Sequence, residues 1–274
     1  MTIFQSIILG IVQGLSEFLP ISSSGHLVIV PYLFGWDIPP QDAFIFDILV
    51  QVATLIAVIG YFSKDLLEIT KAMVIGVTRK VPFANAESRL GWYILLATIP
   101  AGIVGLLVKD TVERAFASLT ATATALLITA LLLVIAERVG NRSRELNQLT
   151  WLDALLIGVF QILAIFPGVS RSGATISGGM IRNQERPAAA RFAFLISLPI
   201  MLAAGLMAAI DLVQIPGFSS TLTVFIPGFI SAAVVGYISI RWLIGYLSKH
   251  SLYIFAVYCA IVGSISLIFS VFIM

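Results

Sequence analysis

The chain has very little charge and almost no cysteine or histidine. Only 11% of its 274 residues are Asp, Glu, Lys or Arg, against about 25% in an ordinary soluble domain. By contrast, 59% are hydrophobic and the mean hydropathy is +1.04. A soluble globular domain is therefore excluded, and we predict an all-α integral membrane protein. The single cysteine, Cys259, excludes a disulfide framework and a thiolate metal cluster.

Six segments are long and apolar enough to cross a bilayer, which needs about 20 residues. They are residues 43–62, 90–108, 116–136, 188–211, 221–240 and 252–273. Four shorter apolar segments, 1–19, 26–36, 151–166 and 173–182, flank two loops rich in Pro, Gly and Ser. Because Pro and Gly break helices, each pair is predicted to form a re-entrant helical hairpin. Non-helical backbone at membrane depth must be buried in protein or line a cavity.

The two loop regions look like copies of one another. Residues 10–26 and 158–174 share seven identities in 17 positions. These are Gly10/Gly158, Gln13/Gln161, Leu15/Leu163, Phe18/Phe166, Ser22/Ser170, Ser24/Ser172 and Gly25/Gly173. We therefore predict one membrane domain, 1–274, built of repeat 1 (1–136) and repeat 2 (151–274). Each repeat has one hairpin and three spans, so an odd number of crossings would insert the second upside down.

Basic residues predict the orientation, because they concentrate on the cytoplasmic side. Twelve fall on one predicted face: Lys64, Lys71, Arg79, Lys80, Arg89, Arg138, Arg142, Arg144, Arg182, Arg186, Arg241 and Lys249. The opposite face has Lys109 and Arg114. We expect both termini outside, with one hairpin entering from each side and the two loops converging.

The first loop region carries ionisable groups that are costly in a membrane and so indicate function. Gln13 and Glu17 lie one turn apart and could ligate Mg²⁺ or Ca²⁺ through oxygen, or only satisfy the broken backbone. Ser22, Ser23 and Ser24 open the next helix, where N–H groups bind phosphate, although serines there are also ordinary N-caps. His26 has a pKa range suited to proton transfer.

The second loop region carries Ser170, Arg171, Ser172 and Thr175 at the start of a helix. A guanidinium suits bidentate capture of phosphate oxygens, and the alternative is an ion pair with Glu17. Together the two loops predict one phosphoryl-transfer site, where positioning and charge stabilisation dominate. A lipid-linked phosphate is the natural substrate within a membrane. Asp47, Gln51 and Thr54, on one face of the first span, could support this site.

The residues from Gln13 to His26 and from Phe166 to Thr175 resemble the undecaprenyl-diphosphatase family, also called the bacitracin-resistance proteins. The resemblance implies a membrane phosphatase that converts undecaprenyl diphosphate to undecaprenyl phosphate for cell-wall synthesis. It implies a divalent cation, a multi-pass bacterial plasma-membrane protein, and a site open to the periplasmic or outer side. The family's catalytic serine and histidine fall on Ser23 and His26, and its phosphate-binding arginine falls on Arg171. The family's first motif position is Glu or Gln, and this chain has Gln13.

The resulting hypothesis has Ser23 attack the terminal phosphorus while His26 or Glu17 takes its proton, with direct attack by water as the alternative. Ser22, Ser24, Ser170, Ser172 and Thr175 are the expected phosphate-binding residues, and Gln13 and Glu17 the expected metal ligands. A transporter or flippase of a lipid-linked phosphate is the rival function, because inverted repeats suit it too. No nucleic-acid partner is expected, and the oligomeric state is open, with a homodimer among the options.

Overall fold

The computed structural model describes residues 1–108, 118–213 and 218–272, and this part of the chain is helical almost throughout. The helices are α1 (Ile3–Phe18), α2 (Ser23–Leu33), α3 (Pro40–Tyr61), α4 (Ser63–Thr78), α5 (Ala86–Leu107), α6 (Leu119–Val139), α7 (Trp151–Leu163), α8 (Arg171–Ile181), α9 (Arg186–Val213), α10 (Phe218–Leu247) and α11 (Tyr253–Phe272).

Six of the described helices are long and apolar enough to cross a membrane, which confirms the predicted number of spans. They are α3, α5, α6, α9, α10 and α11. In α3 and in α9, half of the apolar membrane-spanning stretch is buried inside the protein, so these two helices lie at the centre of the bundle. Residues 116 and 117 and residue 273 of the predicted spans lie outside the described residues, as do Lys109 and Arg114.

The remaining apolar helices are too short to cross. Helices α2 and α8 have 11 residues each, or about 16 Å at 1.5 Å per residue, roughly half of the hydrocarbon thickness. Both pairs, α1–α2 and α7–α8, break at the predicted loops. Their first helices begin with matching capping boxes, Thr2 with Gln5 and Thr150 with Asp153. Re-entry of each pair to its own side of the membrane stays a prediction.

Small residues let each short leading helix pack closely against a long helix from the other predicted repeat. A Cβ added at Gly10 of α1 would collide with the carbonyl of Gly228 on α10. A Cβ added at Gly158 of α7 would collide with the carbonyl of Ala97 on α5. Backbone atoms cannot yield as a flexible side chain does, so the shared glycines at these repeat positions are needed for packing. The two sequence halves are therefore interlocked.

Ion pairs gather at one end of the bundle. Glu137 at the end of α6 accepts hydrogen bonds from Arg142 and Arg186, at 2.7 and 2.6 Å. Asp153 at the start of α7 pairs with Arg144 and with another arginine, Arg182, at 2.8 and 2.7 Å. These arginines all belong to the face that the sequence predicts as basic.

Helix α4 lies between the first two predicted spans, 43–62 and 90–108, where no helix is predicted from the sequence. It packs on α5 and buries only Ile69 and Gly76. An ion pair of 2.9 Å between Asp65, in its first turn, and Arg191 on α9 attaches it to the bundle.

Candidate functional site

The two helix-breaking loops meet in the interior of the bundle. Ser172 Oγ donates a hydrogen bond to the carbonyl of Leu19 at 3.1 Å. The backbone N–H of Gly168 donates to Ser24 Oγ at 3.3 Å. Arg171 Nη2 donates to Glu17 Oε1 at 2.5 Å. Residues about 150 positions apart in the sequence are thereby brought into one polar cluster.

Glu17, near the end of α1, is the centre of this cluster. Its Oε2 atom accepts from the hydroxyl of Ser23 at 2.6 Å and from Gln13 Nε2 at 3.1 Å. Its Oε1 atom takes the guanidinium of Arg171, so both carboxylate oxygens are engaged. The Glu17 side chain is 6% exposed, and that of Arg171 is 23% exposed. The ion pair, left open as an alternative by the sequence, is the observed arrangement.

Each loop ends in a serine N-cap that starts the following helix. Ser22 Oγ accepts from the N–H of Gly25 at 3.3 Å, and Ser170 Oγ accepts from the N–H of Gly173 at 3.0 Å. A cap satisfies one of the free N–H groups of a helix start and leaves those before it available. Two helix N-termini, with their positive dipole ends, therefore open on the same cluster.

The cluster forms one wall of a cavity of about 820 Å³. Its polar lining includes Glu17, Ser22, Ser23, Ser24, Gln51, Gln161, Ser170 and Arg171. Its apolar lining comes from one half of α5, between Leu95 and Leu106, and from α9, between Pro199 and Met207. The polar end of this cavity contains an arginine and several serines, and it continues into an apolar groove. Such a cavity is complementary to an amphiphile with an anionic head.

Not every predicted phosphate ligand faces this cavity. The hydroxyl of Thr175 donates to the carbonyls of Arg171 and Ser172, at 2.7 and 3.3 Å, and the side chain is buried within α8. Ser172 is used in the contact with Leu19 and lies 3.1 Å from Ser170 Oγ. Neither residue lines the cavity.

His26 is turned away from the carboxylate. Its Nδ1 atom lies 2.7 Å from the carbonyl oxygen of Ser22, and its Nε2 atom lies 2.6 Å from the hydroxyl of Tyr258 on α11. In the described part of the chain, Ser23 has its hydrogen bond to Glu17 and has none to His26. Glu17 is thus the group placed to accept the proton of Ser23.

A divalent cation can be tested against the donor atoms present. Among the described residues, no cluster of three His, Cys, Asp or Glu side chains could hold a metal. However, Gln13 Oε1 is buried and has no hydrogen-bond partner within the described ranges, while the same amide donates to Glu17. An unsatisfied oxygen beside a carboxylate fits Mg²⁺, which keeps several waters and takes few protein ligands.

Two residues at or beside the site, Gln161 and Tyr258, were not predicted from the sequence. Gln161, the repeat counterpart of Gln13, lines the cavity with a buried Oε1 that also has no partner among the described residues. Gln161 could have been predicted from the sequence, because it occupies the same repeat position as Gln13. Tyr258 gives no such signal, because it is separated from His26 by 232 residues.

Fold and site together define a polytopic membrane protein with a polar cavity that continues into an apolar groove. The family model described as "Bacitracin resistance protein BacA" matches residues 6–265. An undecaprenyl-diphosphatase of Chlorobaculum tepidum is 43% identical over 271 residues, covering 96% of this chain and 95% of its own. An undecaprenyl-diphosphatase of Thermomicrobium roseum is 39% identical over 98% of this chain and 98% of its own. One of Chlorobaculum parvum is 45% identical over 98% of this chain and 96% of its own. The chain belongs to the BacA bacitracin-resistance family, as the sequence resemblance predicts.

Proposed function

We propose that this protein is a membrane phosphatase that hydrolyses undecaprenyl diphosphate to undecaprenyl phosphate and inorganic phosphate. It thereby recycles the lipid carrier for cell-wall synthesis and confers bacitracin resistance. The observation that carries the proposal is the Ser23–Glu17–Arg171 arrangement, in which one carboxylate holds both a hydroxyl and a guanidinium. The names of the relatives support the same activity.

The diphosphate binds where the two helix N-termini open. Arg171 exchanges its pairing with Glu17 for phosphate oxygens, which a planar guanidinium holds bidentately. Ser22, Ser24 and Ser170 supply further hydrogen bonds from the cavity wall. Ser172 and Thr175 shape the second loop instead, because their hydroxyls are engaged within the protein.

Once Arg171 turns to the phosphate, the Oε2 atom of Glu17, which accepts from the hydroxyl of Ser23, acts as the base toward it. The hydroxyl oxygen of Ser23 bonds to the terminal phosphorus, its proton passes to Glu17, and the bond to the bridging oxygen breaks. Undecaprenyl phosphate leaves, and water then hydrolyses the phosphoserine to release inorganic phosphate. In the alternative, water attacks the phosphorus directly and Ser23 only donates a hydrogen bond.

Gln13 and Glu17 would hold the divalent cation, Mg²⁺ or Ca²⁺. When bound, such an ion neutralises charge on the diphosphate oxygens. The prenyl chain follows the apolar groove between α5 and α9.

The groove also supports an outward-facing site in the plasma membrane. It is lined by the halves of α5 and α9 that lie away from the arginine-rich end of the bundle. Since basic residues favour the cytoplasm, the cavity would open toward the periplasmic or outer side.

Purified protein in detergent, assayed for phosphate release from undecaprenyl diphosphate, tests the activity without a membrane gradient. Ser23→Ala and Arg171→Ala should each lower turnover at least about a hundredfold, the size expected for loss of a positioned catalytic group. A chain that moves lipid phosphate in vesicles but releases none in detergent would instead be a carrier. Recovery of radiolabelled phosphoserine at position 23 from a hydrolysis-impaired variant would separate the two attack modes.

A further inference from the structure

Helix α11 contacts the first loop through two side chains. The hydroxyl of Tyr258 lies 2.6 Å from His26 Nε2. The adjacent Cys259 Sγ is 3.5 Å from the carbonyl oxygen of Pro20. Neither Tyr258 nor His26 lines the cavity, while Ser22 and Ser23, between Pro20 and His26, both do. Helix α11 therefore contacts the loop at residues that do not themselves line the cavity.

The contact at Ser22 fixes which ring nitrogen of His26 carries a proton. A carbonyl oxygen only accepts, so Nδ1, at 2.7 Å from Ser22 O, must donate. In the neutral imidazole Nε2 is then an acceptor, and the hydroxyl of Tyr258 donates to it. The two rings are nearly parallel, with an interplanar angle of 13°. A chain of hydrogen bonds thus runs from Tyr258 through His26 to Ser22.

Ser22 is where such support is needed. Its φ of 72° and ψ of 101° place a non-glycine residue in a sparsely populated region, which persists only when the surroundings hold it. Ser170, at the same place in the second loop, has an ordinary φ of −67°. The carbonyl of Ser22 also accepts the backbone N–H of His26 at 3.3 Å. The next residue is Ser23, whose hydroxyl points at Glu17.

We propose that Tyr258 is a positioning residue, which orients His26 and through it holds the Ser22 backbone so that Ser23 meets Glu17. The reaction that this serves is the phosphatase activity proposed above, and the hydrogen-bond chain itself can be tested separately. Tyr258 touches neither the cavity nor the reacting atoms, so it acts on turnover and leaves substrate binding nearly unchanged.

The kinetic test compares Tyr258→Phe with Tyr237→Phe. Both changes remove one phenolic hydroxyl from a long helix, at residues that are 39% and 43% exposed. Tyr237 contacts the ring of Tyr61, the last residue of α3. Tyr258→Phe should lower kcat about threefold to tenfold, the factor for one hydrogen bond between neutral groups. KM should stay unchanged, and Tyr237→Phe should match the unaltered chain. In a His26→Ala background, Tyr258→Phe should have no further effect.

A spectroscopic test needs no activity. The chain has only two histidines, so ¹⁵N-histidine labelling of a His250→Gln variant isolates the ring of His26. The neutral ring should carry its proton on Nδ1, and the Nε2 resonance should move in Tyr258→Phe.

Three results would overturn the proposal: a neutral ring protonated on Nε2, an unchanged kcat in Tyr258→Phe, or an equal loss in the His26→Ala background. The ring measurement is made with Tyr258 intact, so a neutral ring protonated on Nε2 overturns the proposal even if Tyr258→Phe fails to fold. If the unaltered chain releases no phosphate, the proposed function fails while the ring signature still reports whether the hydrogen-bond chain exists.

Discussion

Replacing Glu17 by Gln isolates the charge of the carboxylate from its shape. The amide has nearly the same size and can still reach Arg171 and Ser23, but it cannot accept the proton of Ser23. A general base contributes about 10²- to 10⁴-fold, so kcat for phosphate release should fall at least about a hundredfold. KM should change less, because Arg171 remains available to the phosphate.

The cost to stability should be small enough that this variant folds. Removing one partner of a fully buried ion pair costs about 3–5 kcal/mol, and an exposed pair contributes about 0–1 kcal/mol. The Arg171 side chain is 23% exposed and faces the cavity, so we expect about 1–2 kcal/mol, between these limits.

The assay is phosphate release from undecaprenyl diphosphate in detergent, run beside unfolding in a graded denaturing detergent. Glu68→Gln is the matched control, because Glu68 is an exposed carboxylate on α4 away from the site. The mechanism would be refuted if folded Glu17→Gln kept more than about a tenth of the kcat of the unaltered chain, since a general base contributes more than that.

Three further changes test the packing, the groove and the cation. Gly158→Ala should destabilise the protein by about 1–3 kcal/mol, because the new Cβ meets the backbone of Ala97, while Gly102→Ala, with open space around it, should be neutral in the same unfolding assay. Gly105→Phe should raise KM for undecaprenyl diphosphate more than for a short prenyl diphosphate, because Gly105 lines the apolar groove; equal effects on both substrates would argue against this groove. Gln13→Glu should lower the Mg²⁺ concentration that gives half-maximal turnover after chelator treatment, since a carboxylate binds the ion more strongly than an amide; an unchanged Mg²⁺ requirement would remove Gln13 from the ligand set.

Local signals in the sequence were enough to predict every described α-helix of the fold except α4. Hydropathy located the six spans, and Pro, Gly and Ser located both breaks. The serines at 22 and 170 are N-caps in the structure, as their positions before the short helices suggested. Each of these signals depends on residues near one another in the chain, which is why a single sequence carries them.

Contacts between distant helices were beyond the sequence. Apolar periodicity shows that a face is buried but does not show which helix covers it, so Tyr258 and His26 could not be paired. Helix α4 was missed because four charged residues in its first nine positions lower its hydropathy below that of the spans. Thr175 was expected at the phosphate, yet its hydroxyl bonds back to the carbonyl of Arg171 four residues earlier, as threonines inside helices often do.

The packing of α1 against α10, a helix of the other predicted repeat, has a consequence for biosynthesis. Ser6 Oγ accepts from the backbone N–H of Gly228, 222 residues further along the chain. The ribosome therefore delivers α1, with Gln13 and Glu17, long before its partner exists. Until α10 is synthesised, the side chains of Gln13 and Glu17, which are buried in the folded protein, lack part of the protein that surrounds them later. Assembly of the catalytic machinery is thus one of the last events in the maturation of this protein.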